Sequence, residues 1–229
     1  MSLRKSEKLK APAWFSIENA HAAQIKASKR IIRHDSLPEK IQYIAGIDVS
    51  YVARFSIGVA TVFDYDSLSL LESKFSHVKT RFPYIPTLLS FREIPPAVKA
   101  IKTLRLKPDV FLVDGQGIMH PYRLGLASHL GLIINKPTIG IAKSPLVGTI
   151  NKFNEENWAL IRDKKEIIGA ALLTKENTKP IYVSIGHMIS LKKAMEIVRH
   201  CISNRRIPEP IALAHRLATQ ERRKYVQAK

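Results

Sequence analysis

Val110-Phe-Leu-Val-Asp114-Gly-Gln-Gly-Ile-Met-His120-Pro-Tyr-Arg-Leu-Gly-Leu-Ala-Ser-His129 is the stretch whose reading decides the fold. Four consecutive apolar residues carry one carboxylate to the end of a strand covered on both faces, and a glycine-rich turn with a histidine follows at once. A helix over 122–132 and an apolar strand over 137–142 come next, with short connections, as parallel strands with crossover helices require. On the N-terminal side, 43–51 is a second strand whose apolar run ends on Asp48. Segments 55–63 and 68–78, rich in β-branched and aromatic residues, complete an antiparallel meander with Asp64 and Asp66 in its turns. The fold class is therefore α/β, a central mixed sheet of three antiparallel strands plus parallel strands, flanked by helices.

The remaining chain fits around this sheet. Ser16 starts a helix that presents Ile17, Ala20, Ala23, Ala27 and Ile31 at helical spacing, an N-terminal cover. Pro83, Pro86, Pro95 and Pro96 confine Thr87–Glu93 to a short helix, and Pro96 begins another running to Arg105, with Glu93 at the break. Segments 167–174 and 181–185 read as further strands, and helices over 190–203 and 209–226 close the chain. Residues 1–12 are basic and carry no helical or strand pattern.

With 229 residues, 45% of them hydrophobic, the chain is expected to form a single domain spanning 1–229. Lys and Arg number 37 against 19 Asp and Glu, a formal charge of +18. Such an excess favours a polyanion, because phosphate binding releases condensed cations. The basic residues are scattered and no apolar run approaches membrane length, so nucleic acid is preferred over a lipid surface. Cys201 has no partner for an internal disulfide, and the N-terminus has no apolar signal core, so a cytoplasmic protein is expected.

Two strand-end aspartates in a basic protein point to a metal-dependent phosphodiesterase. A divalent cation offsets the repulsion between carboxylates that would otherwise be costly to bury together. Taken singly, Asp48 also suits a turn cap or a lysine pair, and Asp114-Gly a common turn. Glu93 alone reads as a solvated helix charge, and Lys143, ending the strand Ile139-Gly-Ile-Ala-Lys143, as either a solvated lysine or a group that steadies the scissile phosphate. His215 lies at the edge of the apolar stripe of the last helix, where packing is the commoner fate of a histidine, whereas His120 follows the Asp114 turn directly. Pro83-Tyr84-Ile85-Pro86 fixes the backbone of an aromatic–aliphatic pair. That suits a rigid wedge between bases, or a loop tucking Tyr84 into the core.

Together these motifs resemble the endonuclease V family, nucleases that act on deaminated adenine in DNA. The likeness rests on Ala45-Gly-Ile-Asp48-Val-Ser, Phe82-Pro-Tyr-Ile-Pro-Thr-Leu-Leu-Ser-Phe-Arg-Glu93, Pro108-Asp-Val-Phe-Leu-Val-Asp114-Gly-Gln-Gly-Ile-Met-His120-Pro, Ile141-Ala-Lys143-Ser and Gly186-His-Met-Ile-Ser190. It continues through Ile207-Pro-Glu-Pro and the final helix, covering the chain from about residue 12 onward. The resemblance implies a ribonuclease H-like fold in which Asp48, Glu93 and Asp114 hold Mg²⁺, with Mn²⁺ as a substitute, and His215 completes the site in some members. It implies Lys143 at the phosphate, Pro83, Tyr84, Ile85 and Pro86 as the wedge, and a hypoxanthine pocket around Leu89, Gly115, Gly117, His120 and Leu126. It further implies cleavage of the second phosphodiester bond 3′ of deoxyinosine, leaving 3′-hydroxyl and 5′-phosphate ends, by a monomeric DNA repair enzyme. The chain departs from the family pattern at Thr87, where many members have glycine, and at Ile185, in a turn that often carries proline.

That chemistry is physically coherent. Two metals roughly 3.5–4 Å apart generate hydroxide and stabilise the leaving oxygen of a poor electrophile. A hypoxanthine pair also opens more readily than a normal one. The alternatives are another ribonuclease H-like nuclease, acting on inosine in RNA or on a nucleic-acid structure, and a non-catalytic nucleic-acid-binding protein. A junction resolvase or an RNA–DNA hybrid nuclease on this fold has no need of the wedge, and a non-catalytic binder has no need to keep Asp48, Glu93, Asp114 and Lys143 together.

Overall fold

The computed structural model describes residues 9–227, so part of the basic 1–12 segment lies outside the described residues. β1 (Tyr43–Val52), β2 (Phe55–Asp64) and β3 (Leu70–Lys79) form the antiparallel meander. β1 then pairs in parallel with β4 (Val110–Asp114), and β4 with β5 (Thr138–Ala142). β9 (Ile181–His187) runs antiparallel to β5 and continues through β8 (Glu166–Leu172), β7 (Trp158–Asp163) and β6 (Thr149–Ile150). The described strands make one sheet in the order β3-β2-β1-β4-β5-β9-β8-β7-β6.

Alternation along the central strands decides which layer each residue enters. Ala45, Ile47, Phe111 and Val113 face α2 (Leu89–Lys102) and α3 (Leu126–Ile134), where they join Ala97, Ala100, Ala127 and Leu130 in one core. Ile44, Val110, Leu112, Ile139 and Ile141 pack on the other side with Ile197 and Val198 of α4 (Leu191–His200) and Ile211 of α5 (Glu209–Gln227). Because both faces are covered, the strands read as continuous apolar runs. No described helix is long and apolar enough to cross a membrane.

Several expected boundaries are corrected. Residues 89–102 form one helix, not two, with Pro95 and Pro96 inside it. Proline removes helix hydrogen bonds, but here the pair is clamped onto the sheet: the Pro96 carbonyl accepts from Ser76 Oγ at 2.7 Å, and a Cβ at Gly58 would stand 2.3 Å from that carbonyl. Glu93 therefore sits within the first turns of α2. The N-terminal helix α1 (Ile17–Ser28) stops before Ile31, and it buries Ala20 and Gln24 while Ile17 and Ala23 stay exposed. It docks through Ala20 and Ala27 of the expected stripe and through the polar Gln24, which an apolar stripe does not reveal.

α3 begins at Leu126 because the chain first folds back over the glycine turn. Gly125 N–H donates to the Gly117 carbonyl at 3.0 Å, and Ala127 N–H to that of Gln116 at 2.9 Å. β6 and β7 carried no strand expectation; β7 turns into β8 through Lys164-Lys165, Lys164 at φ 57°, with none of the residues that usually announce a tight hairpin. Ile185 lies within β9 rather than in a turn, and its carbonyl accepts from Ile118 N–H at 2.8 Å.

Candidate active site

The site starts from a glycine. A Cβ at Gly46 would lie 2.1 Å from the carbonyl oxygen of Pro210, so only glycine lets the start of α5 lie against β1. Thr61 Oγ1–H fixes the same carbonyl at 3.0 Å, and further along, Ser50 Oγ–H reaches the Ala218 carbonyl at 3.1 Å. Between these anchors Asp48, on the same strand face, meets His215 of α5, Oδ2 to Nδ1 at 2.9 Å. The other oxygen of Asp48 accepts from Val49 N–H at 2.8 Å.

Parallel pairing of Ile47 with Val113 puts Asp114 on the neighbouring strand at the same level. Asp114 Oδ2 receives Lys143 Nζ at 2.9 Å and lies 4.0 Å from His215 Nδ1. Ligand atoms of Asp48, Asp114 and His215 fall within 4.8 Å of one another. Glu93 is buried rather than solvated, and it borders this cluster closely enough to feel both aspartates, but its Oε1 accepts the Tyr51 hydroxyl at 2.8 Å. The Arg92 guanidinium covers the Tyr51 ring, 3.9 Å from its centroid.

Burial makes the carboxylates of this site costly to ionise. Burial, then the charge of Asp114, raises Asp48 to about 6 against the pull of His215. Burial raises Glu93 to about 8, although the Tyr51 hydroxyl and Arg92 oppose it, and burial also pushes the Tyr51 hydroxyl upward. A divalent ion would offset that cost, and the carboxylate oxygens with one imidazole form a set that could hold one.

Beside this centre the chain builds a turn and an exposed loop. A Cβ at Gly117 would stand 2.0 Å from the Ile185 carbonyl, and one at Gly115 would be 3.2 Å from the Leu126 side chain, so the turn lies tight against β9 and α3. His120 is buried: its Nδ1 accepts from Tyr122 N–H at 3.2 Å, its ring also bonds the Thr87 backbone, and burial lowers it to about 4, which keeps the imidazole neutral near pH 7. Leu89, half-buried, opens α2 two residues after Thr87. Tyr84 is 65% exposed, which removes the reading of it as core packing.

Thr87 explains its own departure from glycine. It holds φ 70°, a backbone region costly for a β-branched residue. Its Oγ1 bonds His21 Nε2 at 2.9 Å, and Gln24 Nε2–H donates to its carbonyl at 2.9 Å and to that of Leu124 at 3.3 Å. Helix α1 thus ties the loop to the turn.

Sequence patterns single out neither Tyr51 nor Gln24 for the site. Their partners lie 42 and 63 residues away, on elements whose packing no local spacing encodes. Gly46 did carry a signal, a glycine inside an otherwise apolar strand.

The endonuclease V family model matches residues 25–216. An endonuclease V of Thermofilum pendens is 44% identical over 209 residues, 91% of this chain and 90% of that protein. Endonuclease V of Bacillus subtilis superimposes with a TM-score of 0.88 at 29% identity, covering 96% of this chain and 98% of the other. Endonuclease V of Ciona intestinalis, solved with a 24mer DNA containing an inosine followed by a ribo-adenosine, gives a TM-score of 0.81 at 32% identity, covering 91% and 98%.

Proposed function

The chain belongs to the endonuclease V family, and on that premise we propose that it is a metal-dependent repair endonuclease that recognises deoxyinosine in DNA and hydrolyses the second phosphodiester bond on its 3′ side. The observation that carries this reading is the convergence of Asp48, Asp114 and His215 beside Glu93 on a ribonuclease H-like sheet. Asp48, Glu93 and Asp114 would hold Mg²⁺, or Mn²⁺ in its place. Bound there, such an ion would supply an activated water and neutralise charge on the cleaved phosphate.

The chain's own residues do the rest. Lys143, 49% exposed at its side chain and tethered through Nζ to Asp114, reaches out to a non-bridging phosphate oxygen and holds the strand in register. His215 Nδ1 orients the Asp48 carboxylate. Tyr51 O–H keeps Glu93 pointed inward from α2, and Arg92 packs over the Tyr51 ring. Tyr84, braced by Pro83 and Pro86, fills the gap left by the extruded nucleotide. The base enters beside Leu89 and the Gly115–Gly117 turn, with Leu126 closing one side and neutral His120 bounding the other.

Duplexes carrying a single deoxyinosine, labelled at either end of that strand and incubated with Mg²⁺, test the reading. One nick at the second 3′ bond, with 3′-hydroxyl and 5′-phosphate ends, is expected. Absence of a nick, or cutting indifferent to the lesion, would overturn it. A second reading, that inosine in RNA is cut as well, is favoured by the ribo-adenosine in the Ciona intestinalis complex. A labelled RNA carrying a single inosine tests it by the same assay.

A further inference from the structure

Trp14 is 83% exposed, more than any other exposed large apolar side chain among the described residues. It stands in a turn closed by Phe15 N–H to the Pro12 carbonyl at 2.9 Å, directly before Ser16, whose Oγ caps α1 by accepting from Asn19 N–H at 3.1 Å. The next ring, Phe15, packs edge-on against Phe82 with centroids 5.0 Å apart, and Phe82 leans on Phe91 of α2 at 6.0 Å. Phe82 immediately precedes Pro83-Tyr84. A hydrogen-bonded turn therefore displays an indole in water on the segment that packs against the wedge loop, so the two exposed rings, Trp14 and Tyr84, stand on adjoining supports.

Leaving so large an apolar surface wet forfeits stabilisation that burial would give, and a fixed turn loses little freedom when its ring stacks. In a chain of charge +18, the flat apolar partner brought to this surface is a nucleobase. Base–aromatic stacking tolerates any sequence, because every base has a π-face. Resting on the deoxyinosine reading above, we infer that Trp14 is a second stacking platform, which takes a base of the opened duplex that loses its neighbour or partner when the lesion is extruded. Trp14 lies outside the residues 25–216 matched by the family model.

The test compares wild type, Trp14→Ala and Trp14→Phe by fluorescence anisotropy with labelled inosine and undamaged duplexes, by tryptophan emission, and by single-turnover cleavage. Trp14→Ala should weaken inosine-duplex binding about tenfold, change undamaged-duplex binding less than about twofold, and leave both the melting temperature and the saturated cleavage rate unchanged. Trp14→Phe should recover most of the affinity. The emission that wild type has beyond Trp14→Phe should be quenched by the inosine duplex alone. Unquenched Trp14 emission with full affinity in Trp14→Ala, equal weakening on both duplexes, or a lowered melting temperature would each overturn the inference while normal cleavage leaves the deoxyinosine reading standing. A wild-type protein that neither binds nor cuts the inosine duplex overturns both.

Discussion

Glu93 is where burial and charge compete most directly. Its folded pKa is raised from 4.5 to about 8, so the native state holds a proton that the unfolded chain has released, and stability falls as pH rises through that window. Asp48, raised to about 6, acts in the same sense between 3.8 and 6. His120 and His129, lowered to about 4 by burial, act in the opposite sense, removing stability as pH falls from 6.5 toward 4. The interval from pH 6.5 to 8 therefore isolates Glu93. In chelator, the melting temperature of wild type should drop across that interval, that of Glu93→Gln should stay nearly level, and saturating Mg²⁺ should flatten the wild-type curve. A level wild-type curve in chelator would show that Glu93 is not held protonated. At this scale the strand-end aspartates were legible, because a lone carboxylate closing an apolar run needs a compensating charge. Tyr51 was not, since a hydroxyl bond to a helix 42 residues away leaves no local trace.

Among the elements, α5 and the proline-bracketed loop bear on function in different ways. Gly46→Ala would drive a methyl into the Pro210 carbonyl, at 2.1 Å from the ideal Cβ, so α5 must shift and carry His215 away from Asp48. We expect a loss of about 1–3 kcal/mol in stability, the usual cost of overpacking, together with reduced cleavage. Chemical denaturation and single-turnover assays check it, and a variant with normal stability would mean that α5 is loosely seated. Tyr84→Ala removes an exposed ring, so its melting temperature should not change. Lesion affinity should fall by about 1–3 kcal/mol, the worth of one stacked base, with saturated cleavage largely preserved. A sharp fall in melting temperature with lesion affinity intact would contradict the wedge. Periodicity located the meander, β4, β5 and the closing helices. It failed where tertiary contacts overrode local rules: the prolines clamped inside α2, the polar docking of α1 through Gln24, and the lysine hairpin joining β7 to β8.

The whole molecule acts as a polycation carrying an acidic centre. Its excess of 18 positive charges makes binding to undamaged duplex salt-dependent, whereas contacts to an extruded base release few counterions. Undamaged-duplex affinity should weaken steeply between roughly 50 and 200 mM salt, with lesion binding less affected, as an anisotropy titration would show. A flat salt slope for undamaged DNA would remove phosphate binding as the role of the charge. The most direct measurement of all is Mg²⁺-dependent single-turnover cleavage of a deoxyinosine duplex by wild type, Asp48→Asn and Asp114→Asn, with lesion binding followed in parallel. Wild type should nick the second 3′ bond, and both variants should lose cleavage yet bind the lesion within about tenfold of wild type, since the basic surface supplies most of the affinity. Wild-type Mg²⁺-dependent turnover in both variants would contradict the assignment of the Asp48–Asp114 pair as the metal site.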